Sequence, residues 1–216
     1  MIILVGSNKG GSGKTTLSCN LAVILAKSDS NNDVCLVDAD RQGSAARWHQ
    51  ERESADITPA ITLIQKYDNL TKTLQTLNEK FTHVIVDVAG RNSREMITAA
   101  TVADMVIAPH QCSQLDLDTL GELQEQIIRV IDLNPDLKIF IYQTMASTNV
   151  QVIETERNDF QSYVAEFPEF TPLKSAGRYR KIYRDVMSEG LSVLEGSNKQ
   201  AIEEITALHQ ELFSHG

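Results

Sequence analysis

The glycine-rich stretch GSNKGGSGKTT, residues 6–16, combines the groups that bind phosphate in proteins. Small residues let backbone N–H groups curl around phosphate oxygens, and a following helix N-terminus adds partial positive charge. Lys14 is expected to reach the β- and γ-phosphates of a nucleotide, and the Thr15 hydroxyl to face Mg²⁺. The competing interpretation is a plain strand-to-helix turn, which the full GKTT ending disfavours. The residues predicted to bind nucleotide are Gly10, Gly11, Ser12, Gly13, Lys14, Thr15 and Thr16.

Three aspartates stand at the ends of apolar runs. Asp38 and Asp40 close the run VCLVDAD, and Asp87 follows the apolar residues of HVIVDVAG. An acid after an apolar run and shortly before a glycine has the form of a Walker B site, so we assign Asp87 to Mg²⁺, directly or through water. Gly90 could bring its backbone N–H to the γ-phosphate, with residues 91–95 as a switch segment whose arginines could equally be surface charges. The competing interpretation of Asp38 and Asp40 is a pair of solvated loop acids.

The segment RYRKIYR, residues 178–184, is the most basic part of the chain. The net charge of −9 argues against a dedicated nucleic-acid-binding protein, because phosphate contacts need clustered lysine and arginine. A local patch of this size could still bind DNA weakly. A solvated helix face is the competing interpretation. The candidate DNA-binding residues are Arg178, Arg180, Lys181 and Arg184.

Size and composition indicate one folded domain spanning residues 1–216. An apolar fraction of 42% fits a globular protein with a sizeable core. The three cysteines have no metal-ligand spacing, which predicts buried thiols. No apolar run approaches the roughly 20 residues of a membrane span, and no signal peptide is visible, so a cytoplasmic location is expected.

Strand and helix patterns alternate along the chain. Such alternation is typical of βαβ units and predicts an α/β fold with a mostly parallel central sheet flanked by helices on both faces. Parallel sheets bind ligands at the carboxyl ends of their strands, where the motifs above lie. Predicted strands occupy residues 1–5, 34–40, part of 57–65, 82–90, 105–109, 138–143 and 192–195, and predicted helices 15–27, 44–52, 70–77, 115–132 and 199–213.

The loop KGGSGKTT resembles the deviant phosphate loop of the ParA/MinD ATPases, a group of P-loop NTPases with the pattern KGGxGKT/S. The resemblance implies that Lys9 crosses to the nucleotide of a second subunit, so that ATP binding produces a homodimer that sandwiches two ATP molecules. The stretch VDADRQGS resembles the family's DxDPQGS. This implies that Asp40 polarises the attacking water and that Asp38 lies near the Mg²⁺ shell, which makes Lys9, Lys14 and Asp40 the catalytic candidates. Arg41 replaces the usual proline and is expected to leave the turn less rigid.

The resemblance extends loosely to the C-terminal quarter. Arg180, Tyr183 and the following GLSVLE match the family pattern R-x-x-Y…G-x-S-V-x-E. The first strand begins at residue 2, which implies the short ParA type, without an N-terminal helix-turn-helix domain. The implied function is a partition ATPase that uses ATP and Mg²⁺, binds nonspecific DNA, associates with the nucleoid in its ATP state and responds to a small centromere-binding partner of ParB type. Residues 201–216 hold three glutamates and no lysine or arginine, so no membrane partner is expected.

Other functions remain open at this point. A ParA-like ATPase that positions a protein cargo would share the fold and the dimer without a centromere. A metabolic enzyme with the same phosphate loop is less compatible with Lys9, and Cys112 has no mate for a shared iron–sulfur cluster. The stretch IYQTMAS lacks the asparagine or Arg/Asp pair that relatives place against adenine, with Gln143 and Thr144 as the nearest polar groups. On the helix at 115–132, Leu115, Leu117 and Leu120 could serve the core or a dimer face.

Overall fold

A computed structural model describes residues 1–90 and 93–213, and of residues 114–118 only the backbone. Strands and helices alternate along almost all of this length, as the hydrophobic pattern predicts. The strands are β1 (Ile2–Val5), β2 (Val34–Ala39), β3 (Thr62–Gln65), β4 (His83–Val88), β5 (Met105–His110), β6 (Lys138–Ala146) and β7 (Thr171–Arg178). The helices are α1 (Lys14–Ser28), α2 (Ser44–Ser54), α3 (Thr71–Asn78), α4 (Arg94–Ala100), α5 (Gln114–Ile131), α6 (Val150–Val164), α7 (Ile182–Ser188) and α8 (Lys199–Phe213).

The strands form one seven-stranded sheet in the order β3-β2-β4-β1-β5-β6-β7. Every neighbouring pair is parallel, so the carboxyl ends of all strands lie at one edge. The register places Asp38 of β2 beside Asp87 of β4, and Val5 of β1 on the other side of Asp87. The loop that leaves β1 after Val5 therefore begins next to the Asp87 carboxylate.

Helices cover both faces of the sheet. Successive residues of a strand point to opposite faces, so Ile2 and Leu4 of β1 join one apolar core while Ile3 and Val5 join the other. The first core is completed by α3, α4, α5 and α6, through residues such as Leu123. The second is completed by α1, α2, α7 and α8. The α/β class and the two-sided arrangement predicted from the sequence are both confirmed, and the sheet is wholly parallel.

The seventh strand is not where the sequence predicts it. Residues 192–195 were expected to form a strand, but Val193–Glu195 is a 3₁₀ helix whose start is capped by Ser192. The Ser192 Oγ accepts the Leu194 N–H, and the Glu195 carboxylate accepts the Ser192 N–H. This reciprocal capping box stabilises a helical turn in place of a strand. The edge strand is β7 instead, and its sequence TPLKSAGR hides the pattern because it contains proline, glycine and only one large aliphatic residue.

The last helix closes the second core. Helix α8 has the predicted bounds and buries Ala201, Ile205 and Leu208, which confirms that it packs on the domain. Helix α5 begins and ends one residue before the predicted bounds. Leu120 is fully buried in the first core, as one of the two interpretations of this helix expects. The side chains of Leu115 and Leu117 lie outside the described part of the chain. No helix among the described residues is long and apolar enough to span a bilayer.

Candidate functional site

The predicted phosphate loop connects β1 to α1 and ends in an open helix N-terminus. Gly13 immediately precedes α1 with φ 91° and ψ 18°, a left-handed conformation that favours glycine. Its carbonyl accepts the Leu17 N–H at 2.9 Å, which starts the helical ladder. Within the described residues, no side chain caps this helix start and no acidic residue stands in its first turn. Its N–H groups are therefore suited to an anion.

Internal hydrogen bonds hold the loop in shape. The Ser7 and Ser12 hydroxyls lie 2.7 Å apart, and the Thr144 hydroxyl at the end of β6 donates to the Ser12 carbonyl at 2.9 Å. The Lys14 ammonium donates to the Lys9 carbonyl at 2.7 Å, so its side chain folds back over the loop. Burial lowers the pKa of Lys14, and the carboxylates of Asp87 and Asp40 oppose that shift. A lysine that is partly desolvated over a glycine loop fits a phosphate group well.

The Asp87 carboxylate lies fully buried at the end of β4, directly below the start of α1. It accepts hydrogen bonds from the Thr15 hydroxyl at 2.7 Å and from the Ser18 hydroxyl at 3.3 Å. Burial, helped by the neighbouring Asp38 charge, raises its pKa to about 7, while the Thr15 and Ser18 hydrogen bonds and the Lys14 charge limit the rise. A buried carboxylate with this excess of negative charge beside a hydroxyl is an all-oxygen donor set, which fits Mg²⁺. Thr15 and Asp87, both predicted metal residues, are therefore brought together.

Asp38 is buried next to Asp87 but already holds backbone groups. One carboxylate oxygen accepts the Asp40 N–H at 3.1 Å, and the other accepts the Ala46 N–H of α2 at 2.8 Å. Burial is the main cause that raises its pKa, and these two backbone hydrogen bonds oppose it. The geometry therefore favours a role in fixing the turn after β2, with its charge adding to the field around Asp87.

Asp40 opens that turn and is partly exposed. Strand β2 ends at Ala39, so Asp40 does not continue the pleat that carries Asp38. The Gly43 N–H donates to the Asp40 carbonyl at 2.9 Å, and the Gln42 N–H donates to the Asp40 Oδ1 at 2.9 Å. One carboxylate oxygen is thus used by the turn, while the charge of the group acts on Lys14 in the phosphate loop. The placement suits a carboxylate that holds a water molecule near bound phosphate.

Lys9 lies at the half-exposed tip of the loop, and Gly90 lies against the backbone at the same point. The close approach joins the end of β4 to the phosphate loop. Of the predicted switch segment, residues 91 and 92, and with them Arg91, lie outside the described residues. Arg94 is the first residue of α4, where the Ser93 hydroxyl accepts the Met96 N–H as an N-cap.

A cavity of about 120 Å³ opens beside Gly13 and Thr16 at the carboxyl ends of β6 and β7. Tyr142, Met145 and Tyr183 are among its walls, so it could receive the base of a nucleotide whose phosphates lie on the loop. The buried Tyr142 hydroxyl has no hydrogen-bond partner among the described residues. Burial raises the pKa of Tyr142 far above its usual value, so the hydroxyl is a neutral donor.

The two polar groups expected near the base have other partners. The Gln143 amide donates to the Glu156 carboxylate at 2.9 Å, and the Thr144 hydroxyl is bonded to the phosphate loop. Both groups are therefore already hydrogen-bonded within the described part of the chain.

Residues 3–170 match the family described as the CobQ/CobB/MinD/ParA nucleotide binding domain. The chain belongs to this family. Its sequence is 29% identical over 205 residues to maintenance of carboxysome distribution protein A from Gloeobacter kilaueensis, covering 94% of this chain and 88% of that protein. It is 28% identical over 237 residues to chromosome partitioning protein ParA from Myxococcus xanthus, covering 88% of this chain and 83% of that protein.

A plasmid partition protein from Borrelia burgdorferi B31 bound to AMPPNP superimposes on this ParA/MinD-family protein with a TM-score of 0.75. The alignment covers 99% of this chain and 98% of the Borrelia chain at 22% identity, which shows the fold. The α/β P-loop NTPase fold and the resemblance to short ParA-type proteins are therefore confirmed. ParA/MinD proteins are P-loop ATPases, and the match includes residues 6–16.

In this ParA/MinD-family protein, the basic segment at residues 178–184 is partly covered, and acidic side chains neutralise part of its charge. Arg178 is the last residue of β7, and Arg180 precedes α7, so the segment is not one helix face. The Arg180 Nε lies 2.8 Å from the Glu204 carboxylate, and the Arg178 Nε lies 3.9 Å from it. Lys181 is paired with an acid one helical turn later, at 3.4 Å, and Arg184 stacks over the Tyr179 ring.

A hydrogen-bond network that no sequence motif indicated links helix α1, which follows the phosphate loop, to the C-terminal quarter. The Asn20 amide donates to the Thr16 carbonyl at 2.7 Å, and its oxygen accepts the Ser192 hydroxyl at 2.8 Å and the Val193 N–H at 2.9 Å. The turn that contains Ser192 is the GLSVLE pattern, which was recognised without a role. The one indication in the sequence is Asn20 itself, because an asparagine inside an otherwise apolar helix points to a buried hydrogen-bonding role.

Proposed function

We propose that this chain is a partition-type ATPase in which Mg²⁺ and ATP drive a sandwich homodimer. The observation that carries the proposal is the hydrogen bond between Thr15 and the buried Asp87, formed below a glycine loop in which Lys14 is partly desolvated. These groups combine a phosphate cradle with an oxygen site for a cation. Lys9 lies at the half-exposed tip of the loop, and in the proposal it binds the nucleotide of a second subunit.

Each group has a defined task in this proposal. The N–H groups at the start of α1 and the Lys14 ammonium bind and orient the phosphates, which lowers the barrier through positioning and charge. Thr15 and Asp87 would hold Mg²⁺, whose positive charge would offset negative charge on the phosphate oxygens. Asp40 orients the attacking water and can hold its proton on the carboxylate oxygen that the turn leaves available. Lys9 supplies a further positive charge in trans.

Recognition of the base is assigned to the cavity between β6 and β7. Its walls of Met145 and Tyr183 suit a flat ring, and the Tyr142 hydroxyl offers one neutral hydrogen-bond donor. A neutral donor can bond a ring nitrogen acceptor of adenine. We assign ATP as the nucleotide because the chain matches the ParA/MinD family and superimposes on an AMPPNP-bound partition protein, and we assign Tyr142 as the polar contact to the base.

The DNA step rests on the basic segment. In the proposal, the ATP dimer presents two copies of this segment to one duplex, so that two weak sites act together through effective concentration. The same dimer would associate with the nucleoid. A small centromere-binding partner of ParB type would then stimulate hydrolysis and release the dimer. Arg184 and the highly exposed Lys181 are the best-placed contacts, because Glu204 holds Arg180, and the Ser147 carbonyl together with Glu204 holds Arg178.

A second function is favoured by a specific observation. The partial neutralisation of the basic segment by Glu204 weakens the case for a strong DNA interface. A positioning ATPase for a protein cargo would keep the nucleotide site and the dimer and take another track or partner. The carboxysome distribution protein matched above is a relative named for such a task.

Binding to random-sequence duplex DNA in about 100 mM salt separates the two functions. The protein is tested with ATP, with ADP and without nucleotide, and the Lys181→Ala/Arg184→Ala double variant is the matched comparison. Binding that requires ATP and falls in the double variant supports partition. Absence of binding in every nucleotide state, with ATP hydrolysis retained, contradicts the DNA step and favours a protein cargo.

A further inference from the structure

The turn that carries Asp40 lacks the residue that would normally make it rigid. Its four residues run from Asp40 to Gly43, closed by the backbone hydrogen bond between these two residues and by the Asp40 Oδ1. Arg41 therefore occupies the second position of a β-turn, where proline is favoured because its ring presets φ. An arginine leaves this dihedral free. The turn needs another constraint if the Asp40 carboxylate is to keep one position.

The Arg41 side chain supplies such a constraint by reaching the loop after β3. Its guanidinium carbon lies 4.9 Å from the centre of the Tyr67 ring, and its Nη2 lies 3.4 Å from the Asp68 carboxylate. The ion pair alone contributes little, because both side chains are 67% exposed. Stacking on the ring adds a second, geometrically different contact, and the Tyr67 hydroxyl accepts the Gln65 amide at 3.1 Å.

The loop that receives Arg41 is itself fixed to helix α4. The Asp68 N–H donates to the Glu95 carboxylate at 2.9 Å, and the Leu70 N–H donates to the Thr98 hydroxyl at 3.1 Å. Gly90 lies against the phosphate loop, and helix α4 begins shortly after it in the chain, at Arg94. A continuous set of contacts therefore runs from the Asp40 turn through Arg41 to helix α4, whose first two residues are the last two of the predicted switch segment.

We propose that Arg41 is a positioning residue for ATP hydrolysis: its contacts with Tyr67 and Asp68 fix the Asp40 turn in the way that proline would fix it through the backbone. The proposal rests on the proposed ATPase function. The sequence predicts that this turn is less rigid than one with proline at position 41, and the proposal reverses that expectation. Arg41 acts through Asp40 and touches neither phosphate nor water itself.

Steady-state ATP hydrolysis of Arg41→Ala, Tyr67→Leu and their double variant tests the proposal. We expect each single variant to lower kcat roughly threefold to tenfold with KM unchanged, and the double variant to be no slower than the slower single variant. Arg41→Pro should restore the wild-type kcat, because it presets the turn without the tether. Lys72→Ala, which removes an exposed cation from α3, should leave kcat unchanged.

Amide hydrogen exchange of the nucleotide-free protein gives a readout that does not depend on hydrolysis. Exchange at the Gln42 and Gly43 amides, which close the turn, should rise several-fold in Arg41→Ala and return to the wild-type rate in Arg41→Pro. Unchanged exchange in Arg41→Ala, or an Arg41→Pro variant as slow in hydrolysis as Arg41→Ala, overturns the proposal. A wild-type protein without ATPase activity contradicts the proposed function alone, and exchange then decides whether the tether exists.

Discussion

Gly90 packs directly on the backbone of Lys9. A Cβ atom built on Gly90 would lie 3.1 Å from both the carbonyl carbon and the carbonyl oxygen of Lys9, and 3.2 Å from the Gly10 nitrogen. Ordinary contacts of a Cβ atom are longer. The residue that is predicted to approach the γ-phosphate therefore lies against the backbone of the residue that is predicted to act in trans.

The first prediction concerns this contact. Gly90→Ala should push β4 away from the phosphate loop and reduce ATP hydrolysis at least about tenfold, because near-attack geometry is lost with small displacements. Stopped-flow hydrolysis and nucleotide titration measure the effect. Gly121→Ala is the matched control, since a Cβ there meets nothing within 4 Å, and within helix α5 it should raise the free energy of unfolding by about 0.5–1 kcal/mol. A Gly90→Ala protein with normal hydrolysis would show that the contact between Gly90 and Lys9 does not affect ATP hydrolysis.

The second prediction separates the two lysines of the loop. Lys14→Ala should weaken ATP binding by roughly tenfold to a hundredfold, because a charge-assisted contact to phosphate is lost. Lys9→Ala should keep ATP affinity within about twofold and lose ATP-dependent dimerisation, because its charge is used across the interface. Fluorescent-nucleotide titration reports the first property and light scattering the second. Equal loss of affinity in both variants would contradict the separate roles.

The third prediction concerns the cation site. Asp87→Asn removes the charge and keeps the shape, so the Mg²⁺ concentration needed for half-maximal hydrolysis should rise at least about tenfold. The free energy of unfolding should change little, because the amide oxygen can still accept the Thr15 hydroxyl. Mg²⁺ titration of hydrolysis measures the shift, with the exposed Asp33→Asn as control. An unchanged Mg²⁺ requirement would remove Asp87 from the site.

The fourth prediction concerns the acid that holds the basic segment. Glu204 accepts Arg180 at 2.8 Å and also the Tyr183 hydroxyl at 2.9 Å, so its charge competes with any bound polyanion. Glu204→Gln should raise DNA affinity roughly threefold to tenfold and steepen its dependence on salt. Glu203→Gln makes the same change of net charge at an exposed neighbour and should have a smaller effect. Equal gains in both variants would mean that only net charge matters.

The fifth prediction concerns a buried ion pair behind the site. Arg52, 2% exposed, meets both carboxylate oxygens of Glu195 at 2.8 Å. Burial raises the pKa of Glu195, but the hydrogen bonds from Arg52 and the Ser192 N–H outweigh it, so the pKa lies below its ordinary value of 4.5. Such a group stabilises the fold fully above pH 4.5, and its contribution is lost as the pH falls through the lower folded value.

Urea unfolding of Glu195→Gln tests this pair. At pH 7 the free energy of unfolding should fall by about 3–5 kcal/mol, because Arg52 is left buried without a charged partner. The difference from wild type should shrink as the pH falls below 4.5. Glu189→Gln, at an exposed position near the pair, should stay within about 0.5 kcal/mol of wild type at both pH values. A constant difference across this range would contradict the assigned pKa direction.

Local patterns were sufficient for most of the fold and for the parts of the site that follow one another in sequence. The loop at residues 6–16 and the carboxylates at the ends of β2 and β4 are predictable because parallel strands bring their carboxyl ends to one edge. The strand order and register that set Asp38 beside Asp87 come from the structure, because the same rule does not specify which strands are neighbours.

Long-range contacts could not be predicted. The Asn20 side chain meets Ser192 across 172 residues, and Glu204 meets Arg180 only because α8 packs beside β7. The local sequence does not identify the partner in either pair, even where one member, such as Asn20 in an apolar helix, stands out. The same holds for Arg41, whose partners lie on the loop after β3 and depend on how that loop is fixed to α4.

The central proposal is that ATP drives dimerisation, and sedimentation velocity of the purified protein measures this directly. Three conditions are compared: Mg²⁺ with a non-hydrolysed ATP analogue, ADP, and no nucleotide. The account predicts a species of twice the monomer mass of 24.0 kDa with the ATP analogue only, and monomer in the other two conditions. Lys9→Ala should stay monomeric throughout. A dimer that forms equally well with ADP or without nucleotide, or a monomer in all three conditions, would contradict an ATP-driven sandwich dimer.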